Sequence, residues 1–278
     1  PASQQELALP VWIPGSYLVR EFSKNLQNLQ AHQGKQAVAL QQLDKHRWLA
    51  TCQPGKPLVL RYAVYACDAS VRTAWLDAAR GFFNATSLCL RAEGHTEQPC
   101  TIDILAPENI ATSAQWSCAT ALFPLKVDRR GFGRYRANDY DALADCPVEM
   151  GAFWSARFTA GGATHRFVVA GAAASFDGKR LLADTRKICE AAMRLWHGEG
   201  KPPFKNYLFM LNVVHDGYGG LEHRNSTALI CARRDLPRTT APAVGEGYTT
   251  LLGLISHEYF HAWNVKRLRP AEFARYDY

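Results

Sequence analysis

Between Tyr248 and Val265 the chain places Leu251, Leu252, Leu254, Ile255, Phe260 and Trp263 at spacings that return to one broad face every three or four residues. That period predicts a buried or half-buried helix. Thr249 or Thr250 is expected to cap its start, Lys266, Arg267 and Arg269 suit its negative end, and Pro270 stops it. Into this apolar run the sequence sets His257-Glu258-Tyr259-Phe260-His261. Two imidazoles and a carboxylate are costly to bury without partners, so whatever fold this chain adopts must give that helix a cleft, a cation or both.

Positions i and i+4 of a helix lie one above the other, so His257 and His261 can grip a single metal ion while Glu258, between them, acts as a general base. A plain polar stripe is the bland alternative, and the apolar surroundings argue against it. The pattern predicts one Zn2+ ion and a peptide-bond hydrolysis.

Composition sets wide bounds. The chain has 278 residues, is 47% hydrophobic and 11% aromatic, and carries a net charge of +7. Such a chain packs cores, and its length suits one large or two ordinary domains. The basic residues are scattered, as at Arg129-Arg130 and Arg233-Arg234, without interleaved aromatics, so a nucleic-acid partner is not expected. Phe167 to Phe176, the longest weakly apolar run, is far short of a membrane span, and no membrane partner is expected. The eight cysteines show no close Cys-x-x-Cys pair and read as small buried hydrophobes in a reducing compartment, which predicts a cytoplasmic protein.

Organisation changes near residue 171. Upstream, short β-branched and aromatic segments alternate with turn signals, with strands predicted over Leu58–Ala66, Thr101–Leu105, Gly133–Ala137 and Thr164–Ala170. Leu7–Ile13 also reads as a strand, and Trp12–Tyr17 as a buried aromatic turn. Downstream, Asp177–His197 carries a helical stripe ended by Gly198, Asn206–Val214 and Asn225–Ala232 read as an antiparallel strand pair, and the His-bearing helix follows. The prediction is an α+β protein: residues 1–171 an all-β sandwich or saddle, residues 172–278 part of a mixed α/β domain.

Between the two later strands lies Asp216-Gly217-Tyr218-Gly219-Gly220-Leu221-Glu222-His223. Gly219 and Gly220 would free an edge strand to pair with an extended peptide, and Glu222 would hold a cation such as a substrate's α-ammonium. His223 points away from Glu222 on a strand and suits a structural role as well as a binding one. Asn84 is a candidate to reach the cleft from the β domain, and Trp263 is most simply core.

Gly219–His223, the His257–Arg267 segment and the early Trp12-Ile13-Pro14-Gly15-Ser16-Tyr17 together resemble the glycyl aminopeptidase family of gluzincin metallopeptidases. Ala144–Gly151 resembles that family's join between domains. The resemblance implies an N-terminal β domain on a thermolysin-like catalytic domain, often followed by a PDZ domain. It implies His257 and His261 as zinc ligands, Glu258 as general base and Glu222 as the acid that recognises a substrate's free N-terminus. It also implies peptide substrates beginning with glycine or another small residue. The family's third ligand, a Glu some twenty or more residues past the second His, falls beyond Tyr278, as does its transition-state tyrosine, so this stretch alone is expected to be inactive. Glu272, just after Pro270, stands too close to replace that ligand. Rival readings are an endopeptidase of the same fold and a catalytically silent peptide-binding module.

Overall fold

The computed structural model describes residues 2–241, 243–274 and 276–278. The N-terminal part is all β: short antiparallel strands form a sheet of Leu40–Gln42, Arg47–Thr51, Gln4–Ala8 and Arg91–Ala92, and a second of Gln36–Val38, Leu26–Gln33 and Val59–Val64. A third sheet joins Cys100–Ile104, Gly133–Ala137 and Phe123–Val127; a fourth joins Ser117–Thr120, Val148–Gly151, Arg80–Phe83 and Ala74–Leu76. Alternating burial along Val59–Val64 is the pattern of a strand with one face on a core. Residues 9–13 are not strand; only Ile13 keeps a bridge, to Ser16, across the turn.

A five-stranded sheet carries the second part. Its order is Trp154–Ala160, Ala163–Ala170, Asn206–Val214, Ser226–Ala232 and, at the edge, Gly219–Glu222. Two expectations change here. Asn206–Val214 and Ser226–Ala232 pair in parallel, because the edge strand comes between them in sequence and carries the chain back antiparallel before Ser226–Ala232 begins. The hairpin 154–170 also belongs to this sheet, through parallel pairing of Ala163–Ala170 with Asn206–Val214, so the sheet boundary lies upstream of residue 171. Composition cannot reveal which sheet a β hairpin joins. Helix Gly178–His197 packs on that hairpin so closely that a Cβ at Gly178 would meet the Trp154 ring at 2.3 Å. Gly198 ends the helix at φ 58, the conformation glycine adopts at no steric cost.

The motif helix runs over Glu246–Phe260 with Gly245 as its N-cap. Thr249 and Thr250 lie inside it, where their hydroxyls donate back to the carbonyls of Gly245 and Glu246 (3.3 and 3.1 Å), which removes them as caps. The regular helix ends at Phe260, and His261 is its C-cap, still in the right-handed helical region at φ −62, ψ −18. Its buried face meets Phe167, Phe209, Leu211 and Leu229 of the sheet and Cys189 of the first helix in one core. Two further cores fill the β domain; one of them takes in Leu221 of the edge strand, so the β domain packs directly behind the candidate site. Among the described residues no helix is long and apolar enough to cross a membrane.

Candidate active site

The rotation of the motif helix is set from its core side. Tyr259 is fully buried and its hydroxyl lies 2.8 Å from His165 Nε2, while His165 Nδ1 lies 3.1 Å from the Ala163 carbonyl. A carbonyl only accepts, so Nδ1 carries the hydrogen and Nε2 accepts from Tyr259. Burial pushes the His165 imidazole down to about 4, which keeps it neutral in this role. Trp263 is core, as expected, donating through Nε1 to His197 Nε2 (2.6 Å) at the end of the helix Gly178–His197.

With Tyr259 turned inward, His257 and His261 turn outward on the opposite side. Their Nε2 atoms stand 3.0 Å apart. His261 Nδ1 lies 2.7 Å from the Asn264 carbonyl, which makes Nδ1 the donor and leaves the Nε2 lone pair free for a Lewis acid. Two nitrogens each about 2.0–2.1 Å from one tetrahedral ion would be separated by roughly the distance observed.

Glu258 is buried and one carboxylate oxygen, Oε2, has no hydrogen-bond partner. Burial and the neighbouring Glu222 push its carboxyl up to about 8, a cost that a cation at the imidazole pair would reduce. Carboxylate oxygens of Glu222 and Glu258 and a ring nitrogen of His261 all lie within 4.8 Å of one another. A buried carboxylate with an unpartnered oxygen, close to the His261 ring that itself meets His257, fits a divalent cation, and the nitrogen-and-oxygen donor set suits zinc.

The edge strand supplies the rest. A Cβ at Gly220 would stand 2.1 Å from Glu258 Oε1, so the absent side chain is the space Glu258 occupies. Gly219 has nothing within 4 Å and lies open on the unpaired edge of the sheet. Glu222 is the last residue of the edge strand, His223 follows it, and both are buried. Glu222 faces Glu258. His223 Nδ1 lies 3.3 Å from Asp145 Oδ1.

Three β-domain elements reach this site that the sequence did not assign to it. The Trp12–Tyr17 turn is buried at Ile13, Pro14 and Ser16 as expected, but Tyr17 is 75% exposed, and Gly15, at φ +96, lets the turn approach until a Cβ there would lie 2.6 Å from Glu222 Oε2. Asn84 is fully buried and does not enter the cleft. Its Nδ2 donates to the carbonyls of Val71 and Thr73 (2.9 and 3.3 Å), fixing the loop that brings the positive charge of Arg72 near Glu258. Asp145 caps the short helix Tyr140–Ala144 and accepts from the Arg224 backbone N–H (3.0 Å) and Lys266 Nζ (3.2 Å) as well as His223. Burial alone would raise its carboxyl, but Lys266, His223 and Arg224 outweigh that and hold it well below the usual carboxylate range. Burial keeps His223 lowered and neutral, whereas Asp145 and Glu222 outweigh burial at Lys266 and keep it charged. The only sequence signal for Asp145 was its place at the inter-domain join.

Glu272 is exposed in the turn Ala271–Phe273. All eight cysteines are free, five of them buried.

Two convergent imidazoles on a helix, a carboxylate between them and a second carboxylate on the neighbouring edge strand, beneath a β domain, define the class of two-domain metallopeptidases. The chain belongs to the M61 glycyl aminopeptidase family: residues 1–152 match the Peptidase M61 N-terminal domain and residues 250–278 match M61 glycyl aminopeptidase. It is similar to a crystal structure of an aminopeptidase N family protein from Idiomarina loihiensis, with 43% identity and a TM-score of 0.92 over 98% of this chain and 45% of that one. A Legionella pneumophila aminopeptidase A structure, in complex with aspartic acid, shares the fold at 10% identity and a TM-score of 0.59, covering 96% of this chain and 31% of that one. This chain thus spans less than half the length of those structures. Comparison with curated protein sequences gives no match.

Proposed function

We propose that the protein is a zinc aminopeptidase that removes the first residue of peptides with free N-termini, favouring glycine or another small residue. The observation that carries this reading is the group formed by His261, Glu258 and Glu222, whose ligand atoms lie within 4.8 Å of one another. An endopeptidase needs the first two; only recognition of an N-terminus uses the third.

His257 and His261 would hold one zinc ion through Nε2, with a third ligand from a residue beyond Tyr278. Zinc, when bound, supplies a Lewis acid and a hydrolytic water whose pKa falls to about 7. Glu258, buried with Oε2 unpartnered, takes the proton from the attacking water and returns it to the leaving amine. Glu222 binds the α-ammonium by a charge-assisted hydrogen bond and so fixes which peptide bond meets Glu258. The free edge of Gly219–Glu222 offers backbone groups to the substrate chain in the manner of an added strand. Close approach of the Gly15 turn to Glu222 restricts the space beside the first residue, which supports a preference for small side chains.

The test uses the full-length zinc-loaded protein with glycyl peptides and their N-acetylated counterparts. Rapid cleavage of the free peptides alone is expected. Equal cleavage of both would make the protein an endopeptidase, and cleavage of neither would make it a silent binding module.

A further inference from the structure

Asp145 is the only carboxylate among the described residues that ties the β domain to both halves of the site, and its partners make it more than domain glue. It belongs to the C-terminal cap of the helix Tyr140–Ala144. It reaches His223 Nδ1 at 3.3 Å and the Arg224 backbone N–H at 3.0 Å, the two residues that follow Glu222, and Lys266 Nζ at 3.2 Å, five residues past His261. All of these side chains but Arg224 are essentially out of water: His223, Asp145 and Lys266 side chains are 1%, 9% and 2% exposed. A buried ion pair contributes little net stability compared with apolar packing of the same volume, so its use here points to fixing one geometry.

We propose that Asp145 is a positioning residue for Glu222, a role that rests on the reading of Glu222 as the ammonium anchor. His223 directly follows Glu222, the last residue of the edge strand, and its N–H donates to the Ser226 carbonyl (3.0 Å), so fixing the His223 side chain as well limits the depth and rotation open to Glu222. The same carboxylate fixes Lys266, and through it the segment that leaves the motif helix. The distance between the N-terminus anchor and the imidazole pair is thereby set from a third point in the β domain. The Gly15 turn also crowds Glu222, since a Cβ there would stand 2.6 Å from Oε2.

A double-mutant cycle in the full-length zinc-loaded protein tests this, with kcat/KM on a glycyl anilide as the measurement and bound zinc and circular dichroism as controls for folding. Displacing an orienting group by about 1 Å costs about 100-fold, so Asp145→Asn is expected to lower kcat/KM by about that factor in the native background. In a Glu222→Gln background the same change is expected to cost less than about twofold, because the anchor it positions is already gone. Losses that multiply would show that Asp145 acts independently of Glu222 and would overturn the proposal. So would a native-like Asp145→Asn enzyme alongside a crippled Glu222→Gln one, which leaves the ammonium reading standing. If Glu222→Gln alone is harmless, the ammonium reading fails and this role falls with it. Should Asp145→Asn not fold, Lys266→Gln removes one donor from the same carboxylate and carries the same cycle, with the same expected and overturning results.

Discussion

Gly219 and Gly220 look interchangeable in sequence, yet the structure predicts that alanine at one is harmless and at the other disabling. Neither has a positive φ, so the backbone accepts an L residue at both. At Gly219 a Cβ meets nothing within 4 Å. At Gly220 it would stand 2.1, 2.4 and 2.6 Å from Glu258 Oε1, Cδ and Cγ, all belonging to one side chain. Ordinary contact needs about 3.5 Å, so Glu258 must withdraw by more than about 1 Å. It is buried on a helix whose rotation is fixed by Tyr259 and His165, so the whole displacement falls on Glu258, the proposed general base.

A misplacement of that size costs about 100-fold, or about 2.7 kcal/mol in the barrier. Overpacking costs about 1–3 kcal/mol of stability, offset by the roughly 0.4–1 kcal/mol that Gly→Ala gains by restricting the unfolded chain. Gly220→Ala is thus expected to fold with a slightly lowered Tm and to lose about two orders of magnitude in kcat, while Gly219→Ala keeps both. Steady-state kinetics and thermal unfolding of the two full-length variants decide it. A Gly220→Ala enzyme within about threefold of the native kcat would show that Glu258 is not held where the chemistry needs it, and the general-base assignment would fall.

Glu258→Gln, which keeps the shape, is expected to retain zinc by metal analysis while losing about 10²- to 10⁴-fold in turnover. Glu222→Gln removes a charge-assisted bond worth about 1.5–3 kcal/mol, and is expected to appear mainly as a raised KM for free-amine substrates in steady-state assays. Gly15→Ala combines the left-handed strain of φ +96 with a clash at Glu222, so it should lower both Tm and affinity, whereas Gly34→Ala, at φ +61 with nothing within 4 Å, should show only the backbone cost of about 1–2 kcal/mol. Stability should fall with acid. Asp145 is depressed in the folded state, so its contribution is present above the ordinary carboxylate range and is lost as pH drops through it; His223, held neutral, begins to oppose folding below about 6.5. Denaturation midpoints across that range should flatten in Asp145→Asn, and an unchanged acid limb would refute the linkage.

What was legible in the sequence was what depends on local periodicity. The motif helix and the helix closed by Gly198 follow from a 3.6-residue repeat, and Gly133–Ala137 and Asn206–Val214 from runs bounded by turns. The parallel pairing was not legible, because it depends on where the chain goes between two strands. A tandem glycine followed by Leu-Glu signalled an edge strand but not that the second glycine holds the space for Glu258. Asp145 and its partners His223 and Lys266 lie 78 and 121 residues apart in sequence, beyond any window a periodicity can span.

Those distant contacts change how the β domain is to be understood. A domain that merely precedes a catalytic domain would bury an apolar face against it and leave the reacting groups alone. Here it places the Gly15 turn against Glu222, the Arg72 charge near Glu258 and Asp145 beside His223, which follows Glu222. The first two act on a carboxylate directly, the third through His223 and Lys266, and none touches the imidazole pair. The motif helix itself is held from within its own domain, by His165, Cys189 and the Phe167 and Phe209 rings, and the β domain reaches only the segment beyond it, through Asp145 and Lys266. Metal chemistry and substrate register are thus supported from two different sides, so damage to the β-domain contacts should alter which peptides are cut, and how tightly they bind, before it alters retention of the metal.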